Sequence, residues 1–540
     1  MKKLLILFAL VFTVLTVSAC QLSNVTTTST VDSTTSTSIS NNETSDSTTT
    51  STNSSVSTTI STSENVIIDL YSMNDFHGGA YSSINTLSNV AAYLDEARSA
   101  NPYTVFLSTG DMLQGTAFSN YYYGRPIIEI LDDMGLVGFT LGNHEFDWGI
   151  DKIAEYSDLN QSNGEASYPF VAANIVYEDT LQPLPFTVPY TITEINGVRI
   201  GVIGVIGNVI NSISASRVEN IVFLDPADTV YKYADILRTE QDCDIVVASI
   251  HDYDQQMNSE IASFTGTHYV DAIFNGHSHT NVASSINRSG VSLPYAQASN
   301  YSNSLLTKIS LVYNNPTGKV TSAYAYVLDS SDLDQSSSTI DAVINTYTSD
   351  PVYTAFVTDV LAYTPNYIDK YDMGTWGASV IRDYMGVDFG MLNSGGFRVS
   401  IPAGNITMGK MVEVYPFDNY LKKVELLGSA LTDLYFSGYD VVFDDSITSS
   451  GGNIYKNGVL IQDNQYYSVA AVDYIFDKDY YPFLSGRNIE QTTFLMRDLL
   501  VQDLRNTVGN FSPFNGTSYP GTQNTSFYSY YYNHMRDSVL

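Results

Sequence analysis

From Val66 onward, short apolar runs rich in β-branched residues recur along the chain, and each stops at a polar residue. Val66-Ile67-Ile68-Asp69-Leu70-Tyr71-Ser72 leads into Asn74-Asp75-Phe76-His77-Gly78-Gly79. Tyr103-Thr104-Val105-Phe106-Leu107-Ser108 leads into Gly110-Asp111, and Gly138-Phe139-Thr140-Leu141 leads into Gly142-Asn143-His144-Glu145-Phe146-Asp147. Asp244-Ile245-Val246-Val247-Ala248-Ser249-Ile250 ends at His251, and Val270-Asp271-Ala272-Ile273-Phe274 ends at Asn275-Gly276-His277-Ser278-His279. Such runs, bounded by turn residues, predict buried strands. Leu87, Val90, Ala91 and Leu94 recur at spacings of three and four and predict a helix between the first two strands. The stretch Gly197 to Gly207 lacks the spacing of a dinucleotide loop and reads as another strand. The expected class is therefore α/β.

In α/β proteins ligands gather outside the carboxyl ends of the strands. Five such ends on one sheet edge would converge. The chain has 7 histidines, and His77, His144, His251, His277 and His279 all lie in these loops. The remaining two, His268 and His534, have no partner motif. Imidazole and carboxylate together suit divalent transition metals. A carboxylate between two such ions gives a pair about 3.5–4 Å apart that activates water for attack on phosphorus.

In the order Asp-x-His, Gly-Asp, Gly-Asn-His-Glu, His and Gly-His-x-His, each after a strand, the set resembles the calcineurin-like metallophosphoesterase superfamily. The resemblance implies a four-layer αββα sandwich. It implies that Asp75, His77 and His279 hold one metal, that Asn143, His251 and His277 hold the other, and that Asp111 bridges them. The expected cofactor is thus two divalent metal ions, zinc, manganese or similar. His144 resembles the family's catalytic histidine, paired with Asp147. A carboxylate on one imidazole nitrogen fixes the tautomer and raises basicity. Asp147 could equally cap a helix ahead of Gly149-Ile150-Asp151, and Glu145 could serve to support its loop. His251-Asp252 departs from the glycine that related sequences keep shortly after this histidine.

The first pattern runs out near Asp329. A Ser/Asp-rich stretch from Ser330 to Thr339 precedes Ile340, Val343, Ile344 and Tyr347, which mark a helix broken around Asp350-Pro351. A hinge is expected over 330–361. Then comes Asn393-Ser394-Gly395-Gly396-Phe397-Arg398, whose glycines let backbone approach an anion. Arg398 offers a fork for phosphate or for a salt bridge. Tyr415-Pro416-Phe417-Asp418-Asn419 follows, with Phe417 either a core residue or a stacking surface. Together, after the first domain, these motifs resemble the C-terminal α+β substrate domain of secreted 5'-nucleotidases. That family also includes UDP-sugar hydrolases and 2',3'-cyclic-nucleotide phosphodiesterases. By resemblance, Asn393 and Arg398 contact the nucleotide and Phe417 stacks on the base. The family's second stacking aromatic precedes a double glycine that is absent here. Phe476 is the candidate for it, with Tyr474 as runner-up, Asp479 as a sugar contact and Lys370 as a substitute basic contact.

Composition narrows this picture. With 24 Lys+Arg against 57 Asp+Glu the net charge is −33, which argues against a nucleic-acid polymer as partner. A small anion held through metals stays compatible, because a bound cation dominates its local field. Two cysteines, Cys20 and Cys243, rule out a disulfide framework. Lys2 and Lys3, an apolar run from Leu4 to Val17, and Val17-Ser18-Ala19-Cys20 resemble the signal and lipobox of a bacterial lipoprotein. Residues 21–64 hold 29 Ser/Thr out of 44 and no Lys, Arg, Gly or Pro, so they predict a disordered tether. The expected layout is a signal peptide over 1–19, a lipidated Cys20 with tether over 20–64, and a catalytic domain over 65–329. The hinge follows over 330–361, and a substrate domain over 362–540.

The sequence thus reads as an extracytoplasmic, lipid-anchored phosphohydrolase of nucleoside 5'-monophosphates. UDP-sugar or cyclic-nucleotide cleavage on the same site is the enzymatic alternative. A nucleotide-binding lipoprotein is the non-enzymatic one. No residue pattern specifies an oligomeric state or a partner beyond the small-molecule substrate and the membrane.

Overall fold

The computed structural model describes residues 64–79, 82–158, 164–299 and 304–513. The signal, Cys20, nearly all of the tether and the aromatic tail with His534 lie outside them.

The expected strands form and are parallel where they carry the polar loops. Asn65–Met73, Thr104–Thr109 and Phe139–Thr140 are neighbours in a seven-stranded sheet. The sheet continues through Phe170–Val171 to Thr187–Val188, and its other edge is the antiparallel pair Ser304–Asn314 and Lys319–Asp329. A six-stranded sheet holds Ile245–His251 between Val198–Ile206 and Ala272–Asn275, all parallel. Their registers, Met73 beside Ser108, Thr109 beside Thr140 and Ile250 beside Asn275, bring the strand ends to common levels.

Alternation along the strands explains the layers. Ile68 and Leu70 join Val105, Leu107, Val247 and Phe274 in the core between the sheets. Tyr71 and Met73 point the other way, toward the helix Thr86–Ala100, whose Leu87, Val90, Ala91 and Leu94 are buried as their spacing predicts. On the outer face of the second sheet, the helices Pro226–Thr239 and Gln255–Ala262 bury Val230, Ala234, Leu237 and Ile261 together with Cys243. The result is helix, sheet, sheet, helix, the four-layer sandwich expected.

Several strands carry a hydroxyl near the polar end. Ser249 Oγ donates to Thr109 Oγ1 at 3.0 Å, Thr140 Oγ1 donates to Ser249 Oγ at 2.7 Å, and Ser72 Oγ lies 2.8 Å from Thr109 Oγ1. This buried chain ties the two sheets together near the rim where the loops emerge, and satisfies polar groups that would be costly if left alone.

The helices Ser338–Thr348 and Pro351–Thr358 follow, broken where Asp350-Pro351 predicts; the Asp350 side chain caps the second by accepting from the Val352 N–H. Tyr353 and Phe356 pack on Tyr121 of the N-terminal sandwich at ring distances of 5.2 and 5.1 Å. Beyond them a five-stranded sheet is ordered Val442–Phe443, Phe389–Leu392, Tyr466–Val472, Tyr420–Leu427 and Arg487–Leu495. The helices Gly374–Met385 and Met496–Asn506 cover it, locked by Trp376 Nε1–H donating to Asp503 at 2.8 Å.

Candidate active site

Side chains from both sheets meet at the rim. His77 Nε2 and His279 Nε2 are 3.2 Å apart, and Asp75 Oδ1 is 3.4 Å from the latter. Asn143 Oδ1 is 3.1 Å from His251 Nε2 and 2.8 Å from His277 Nδ1. Asp111 Oδ2 lies between the two groups, 3.2 Å from His251 Nε2 and 4.0 Å from His77 Nε2. Donor atoms about 2.1 Å from a common ion stand about 3.0–3.4 Å from each other in octahedral or tetrahedral geometry. The donor set therefore fits divalent cations in chemistry and in spacing. Three triads have their ligand atoms within 4.8 Å of one another: Asp75-His77-His279, Asp111-His251-His277 and His77-Asp111-His144.

Hydrogen bonds behind the rings aim them. His77 Nδ1 donates to the Gln114 carbonyl at 3.2 Å and His251 Nδ1 to the Thr109 carbonyl at 2.8 Å, which leaves both Nε2 atoms facing the site. Burial holds His77 well below the usual histidine range and pulls His277 down to about 4 and His279 to about 3, so all three stay neutral, the form in which imidazole can ligate a metal. Burial would lower His251 too, but the neighbouring Asp111 carboxylate overrides it and pushes it up to about 10. Burial likewise raises Asp75 to about 7.

The Asn143-His144-Glu145-Phe146-Asp147 turn supplies three different functions. His144 N–H donates to Asp111 Oδ1 at 2.8 Å, and His144 Nδ1 donates to Asp147 Oδ2 at 2.7 Å. Burial alone would lower His144, yet the Asp147 and Asp111 carboxylates leave it raised. Its Nε2 is the atom left to serve the cavity. Glu145 turns inward and accepts from four backbone N–H groups, those of Gly142, Asp111, Met112 and Leu113, at 2.7, 2.8, 2.9 and 3.3 Å. Gly142 has no room for more: a Cβ there would stand 2.3 Å from Asp111 Oδ1.

The second domain faces this rim across a cavity of about 350 Å³. Asn393, Arg398 and Phe417 line it, together with Asp111, Asn143, His144, Asp147, His277 and His279. The Phe417 ring lies 5.8 Å from the His144 ring at 27°, and the Arg398 guanidinium is 5.7 Å from the Phe417 centroid. The loop that delivers Arg398 passes so close to Tyr415 that a Cβ on Gly396 would meet its ring at 2.8 Å. Arg398 and Lys370 are near enough for the arginine's charge to lower the lysine, after burial, the larger cause.

Phe476 and Asp479 stand elsewhere. Phe476 is fully buried and stacks on Phe483 at 5.3 Å, while Asp479 is exposed and outside the cavity lining. Tyr474, the runner-up, lines the cavity. Both aromatics sit on the single-turn helix Asp473–Phe476, and two positions on a helix are about 200° apart, so only one can face the cleft.

Sequence reasoning missed the wall contributed by the loop after Val198–Ile206. Ser212, Ser214 and Arg217 line the cavity there, and the Asn211 carbonyl accepts from the Tyr474 hydroxyl at 3.1 Å and from Lys478 Nζ in the other domain. No motif marks this loop. The only signal was an arginine in a stretch following a strand that ends at the rim.

Comparison with known proteins agrees with this architecture. The calcineurin-like phosphoesterase family model matches residues 70–281, and the 5'-nucleotidase C-terminal domain model matches residues 349–486. The chain is 26% identical over 423 residues to the endonuclease YhcR of Bacillus subtilis, covering 72% of this chain and 34% of that protein. It is 26% identical over 505 residues to the cell wall protein Lmo0130 of Listeria monocytogenes, covering 77% and 64%. It thus spans about a third of the first relative's length and less than two thirds of the second's. Among solved structures, the 5'-nucleotidase precursor of Thermus thermophilus shares the fold with a TM-score of 0.66 at 20% identity, covering 81% of this chain and 96% of that one. With both domain models matched in order along one chain and the combined fold shared, the chain belongs to the calcineurin-like phosphoesterases that carry a 5'-nucleotidase C-terminal domain.

Proposed function

We propose that the protein is an extracytoplasmic phosphohydrolase that removes phosphate from nucleoside 5'-monophosphates. The observation that carries this reading is the shared cavity: metal-ligand candidates and His144 on one side, Asn393, Arg398, Phe417 and Tyr474 on the other. Asp75, His77 and His279 would hold one divalent ion and Asn143, His251 and His277 the second, with Asp111 between. When bound, such a pair supplies Lewis-acid polarisation of the phosphoryl group and acidifies water near neutral pH.

The chain's own groups do the rest. Arg398 pairs with phosphate oxygens, which its planar fork fits. Asp147 holds the proton on His144 Nδ1, so that the protonated ring presents Nε2–H to the charge that develops on the transferring phosphoryl group or the leaving oxygen. The raised pKa of His144 favours this form. Phe417 and Tyr474 offer two faces to the base, and stacking is worth about 1–3 kcal/mol per base whichever base it is. Because the two sides of the cavity come from different domains, closure about residues 330–361 would bring the phosphate to the rim.

The cell wall assignment of the Listeria relative supports a place outside the cytoplasm, and the lipobox around Cys20 supports a lipid anchor there. No helix of the described residues is long and apolar enough to cross a membrane. The test is phosphate release from AMP, GMP and UMP, with the cleavage products of UDP-glucose and 2',3'-cAMP separated and quantified alongside, zinc or manganese being supplied. Monophosphates turn over fastest on this reading. Release from none of them, with cleavage of the cyclic nucleotide or the sugar diphosphate, overturns it.

A further inference from the structure

Lys152, Lys308, Lys410, Lys422 and Lys456 each meet a carboxylate at 3.0 Å or less. Lys478 is more deeply buried, 8% exposed, and forms no salt bridge among the described residues. Burial lowers it to about 8, with the charge of Asp440 opposing. An ammonium withdrawn from water with no carboxylate against it is costly, so its place needs a reason.

Two contacts supply one. Lys478 Nζ stands 3.7 Å from the centroid of the Tyr474 ring, a distance that only a position over the face allows. The same Nζ donates to the Asn211 carbonyl, and the Tyr474 hydroxyl donates to that carbonyl at 3.1 Å. The ring is thus held at its edge and on one face by groups that share a single acceptor. Asn211 belongs to the turn Ile210–Ser212 of the first domain, and Tyr474 to the turn Asp473–Phe476 of the second. Tyr474 lines the cavity and Lys478 does not. The ammonium therefore takes the face away from the cavity and leaves the other for a base.

Stacking rewards a base in full only when the ring already stands in the right plane, because ordering a free side chain on binding lowers affinity. A cation drawn to the negative face of the ring fixes that plane and leaves the opposite face open. We infer that Lys478 is a positioning residue for the nucleobase, holding the Tyr474 ring from behind while the Asn211 carbonyl holds its hydroxyl. Lys478 touches no part of the substrate and acts through the ring alone. This rests on the nucleotidase reading and on Tyr474 as a wall for the base.

The experiment measures kcat and KM for AMP, and the inhibition constant of ribose 5-phosphate against AMP, with manganese supplied. The proteins are the wild type, Lys478→Met, Tyr474→Ala and the double variant, each first checked by its thermal transition. Lys478→Met raises KM for AMP by about 3–30-fold while kcat stays, as loss of a desolvated cation–π contact commands. Ribose 5-phosphate carries no base and inhibits the wild type and Lys478→Met equally. In the Tyr474→Ala background Lys478→Met has no further effect, because nothing is left for it to hold. An unchanged KM for AMP in Lys478→Met overturns the inference, as does a rise that persists undiminished in the Tyr474→Ala background. A matching rise for ribose 5-phosphate also overturns it, in favour of a contact that merely holds the domains together. Lys478→Gln, polar and uncharged, carries the same expectations if methionine at this position fails to fold. Absence of phosphate release from AMP, GMP and UMP removes the nucleotidase reading and this inference with it, and a wild-type KM in Tyr474→Ala removes the wall and the inference together. A Tyr474→Ala effect beside an inert Lys478→Met removes this inference alone.

Discussion

Removing the Glu145 carboxylate should cost both stability and metal affinity, and the size follows from its hydrogen bonds. The group is 1% exposed and accepts from four amides of two loops, three of them within 2.9 Å. Glu145→Ala leaves those donors in a site that excludes water. An unsatisfied buried donor costs about 1–3 kcal/mol, so the three short bonds alone predict a loss of roughly 3–9 kcal/mol. Water entering the space vacated brings the value toward the lower end. Even that is a large part of the roughly 5–15 kcal/mol that a folded protein has in reserve.

Glu145→Gln separates the two effects. Its one remaining carbonyl oxygen can serve two of the amides, while its NH₂ group faces the other two, donor against donor. The loss should be about half that of alanine, roughly 2–4 kcal/mol. Because Asp111 and Gly142 are held by the same oxygen, Glu145 Oε2, metal affinity should fall by about 10–100-fold, the usual effect of removing a group that orients a ligand. Urea unfolding of the metal-free protein reads the first quantity, and calorimetric titration with manganese or zinc reads the second. An alanine variant with the wild-type midpoint and the wild-type affinity would show that the four amides do not depend on Glu145, and would refute the reasoning.

His144→Ala should lower kcat by about 10²–10⁴-fold while the titrated metal stoichiometry stays the same, since general acid assistance is worth that much; loss of metal instead would identify His144 as a ligand. Gly142→Ala should displace the Asp111 carboxylate, because its Cβ would stand 2.3 Å from Oδ1, and weaken metal binding in the same titration. Tyr474→Ala should raise KM for nucleotides by about 5–150-fold, whereas Phe476→Ala should lower the unfolding midpoint instead, since the first residue lines the cavity and the second fills the core. Lys478 is lowered to about 8 by burial, so the unfolded chain binds more protons than the folded one between about pH 8 and 10.5, and the burden of burying the charge is relieved as pH rises through that window. Lys478→Met should therefore gain stability relative to wild type at pH 7.5 and lose that advantage by pH 10, measured by paired denaturant titrations.

The catalytic half was legible because its chemistry is tied to strand ends. An apolar run that stops at Asp, Asn or His announces both the strand and the ligand, and the parallel registers do the rest. The substrate side was less legible because its residues owe their places to orientation. Tyr474 and Phe476 are equivalent as letters in a sequence, and only the helical turn that carries them decides which meets the cavity. Arg217 escaped for a different reason. Its loop belongs to the catalytic domain in sequence, yet it is tied through the Asn211 carbonyl to Tyr474 and Lys478 of the other domain, a pairing across more than 250 positions of chain.

The backbone explains why the rim needs so much support. Among the described residues, 12 other than glycine have positive φ, and five of these are Asp75, His77, Asp111, His277 and His279. Their φ values of 51–70° lie in the left-handed region, which costs an ordinary residue roughly 1–3 kcal/mol. Five such positions set local preference against the site by roughly 5 kcal/mol or more. Neighbouring hydrogen bonds offset this: Asp75 accepts from the His277 N–H at 2.9 Å, Glu145 grips the Asp111 turn, and Asn74 joins Asp75 to Ala298. The loops are therefore braced by the chain itself, because Asp75, His77, Asp111 and His277 are each held by a partner from another strand end. A site assembled in this way selects for spacing between ligands and resists adjustment. Replacing a ligand, as in Asp75→Asn or His279→Asn, should therefore weaken metal binding in the calorimetric titration without rescue by movement of its neighbours, and an unchanged affinity would show that the loops adapt after all.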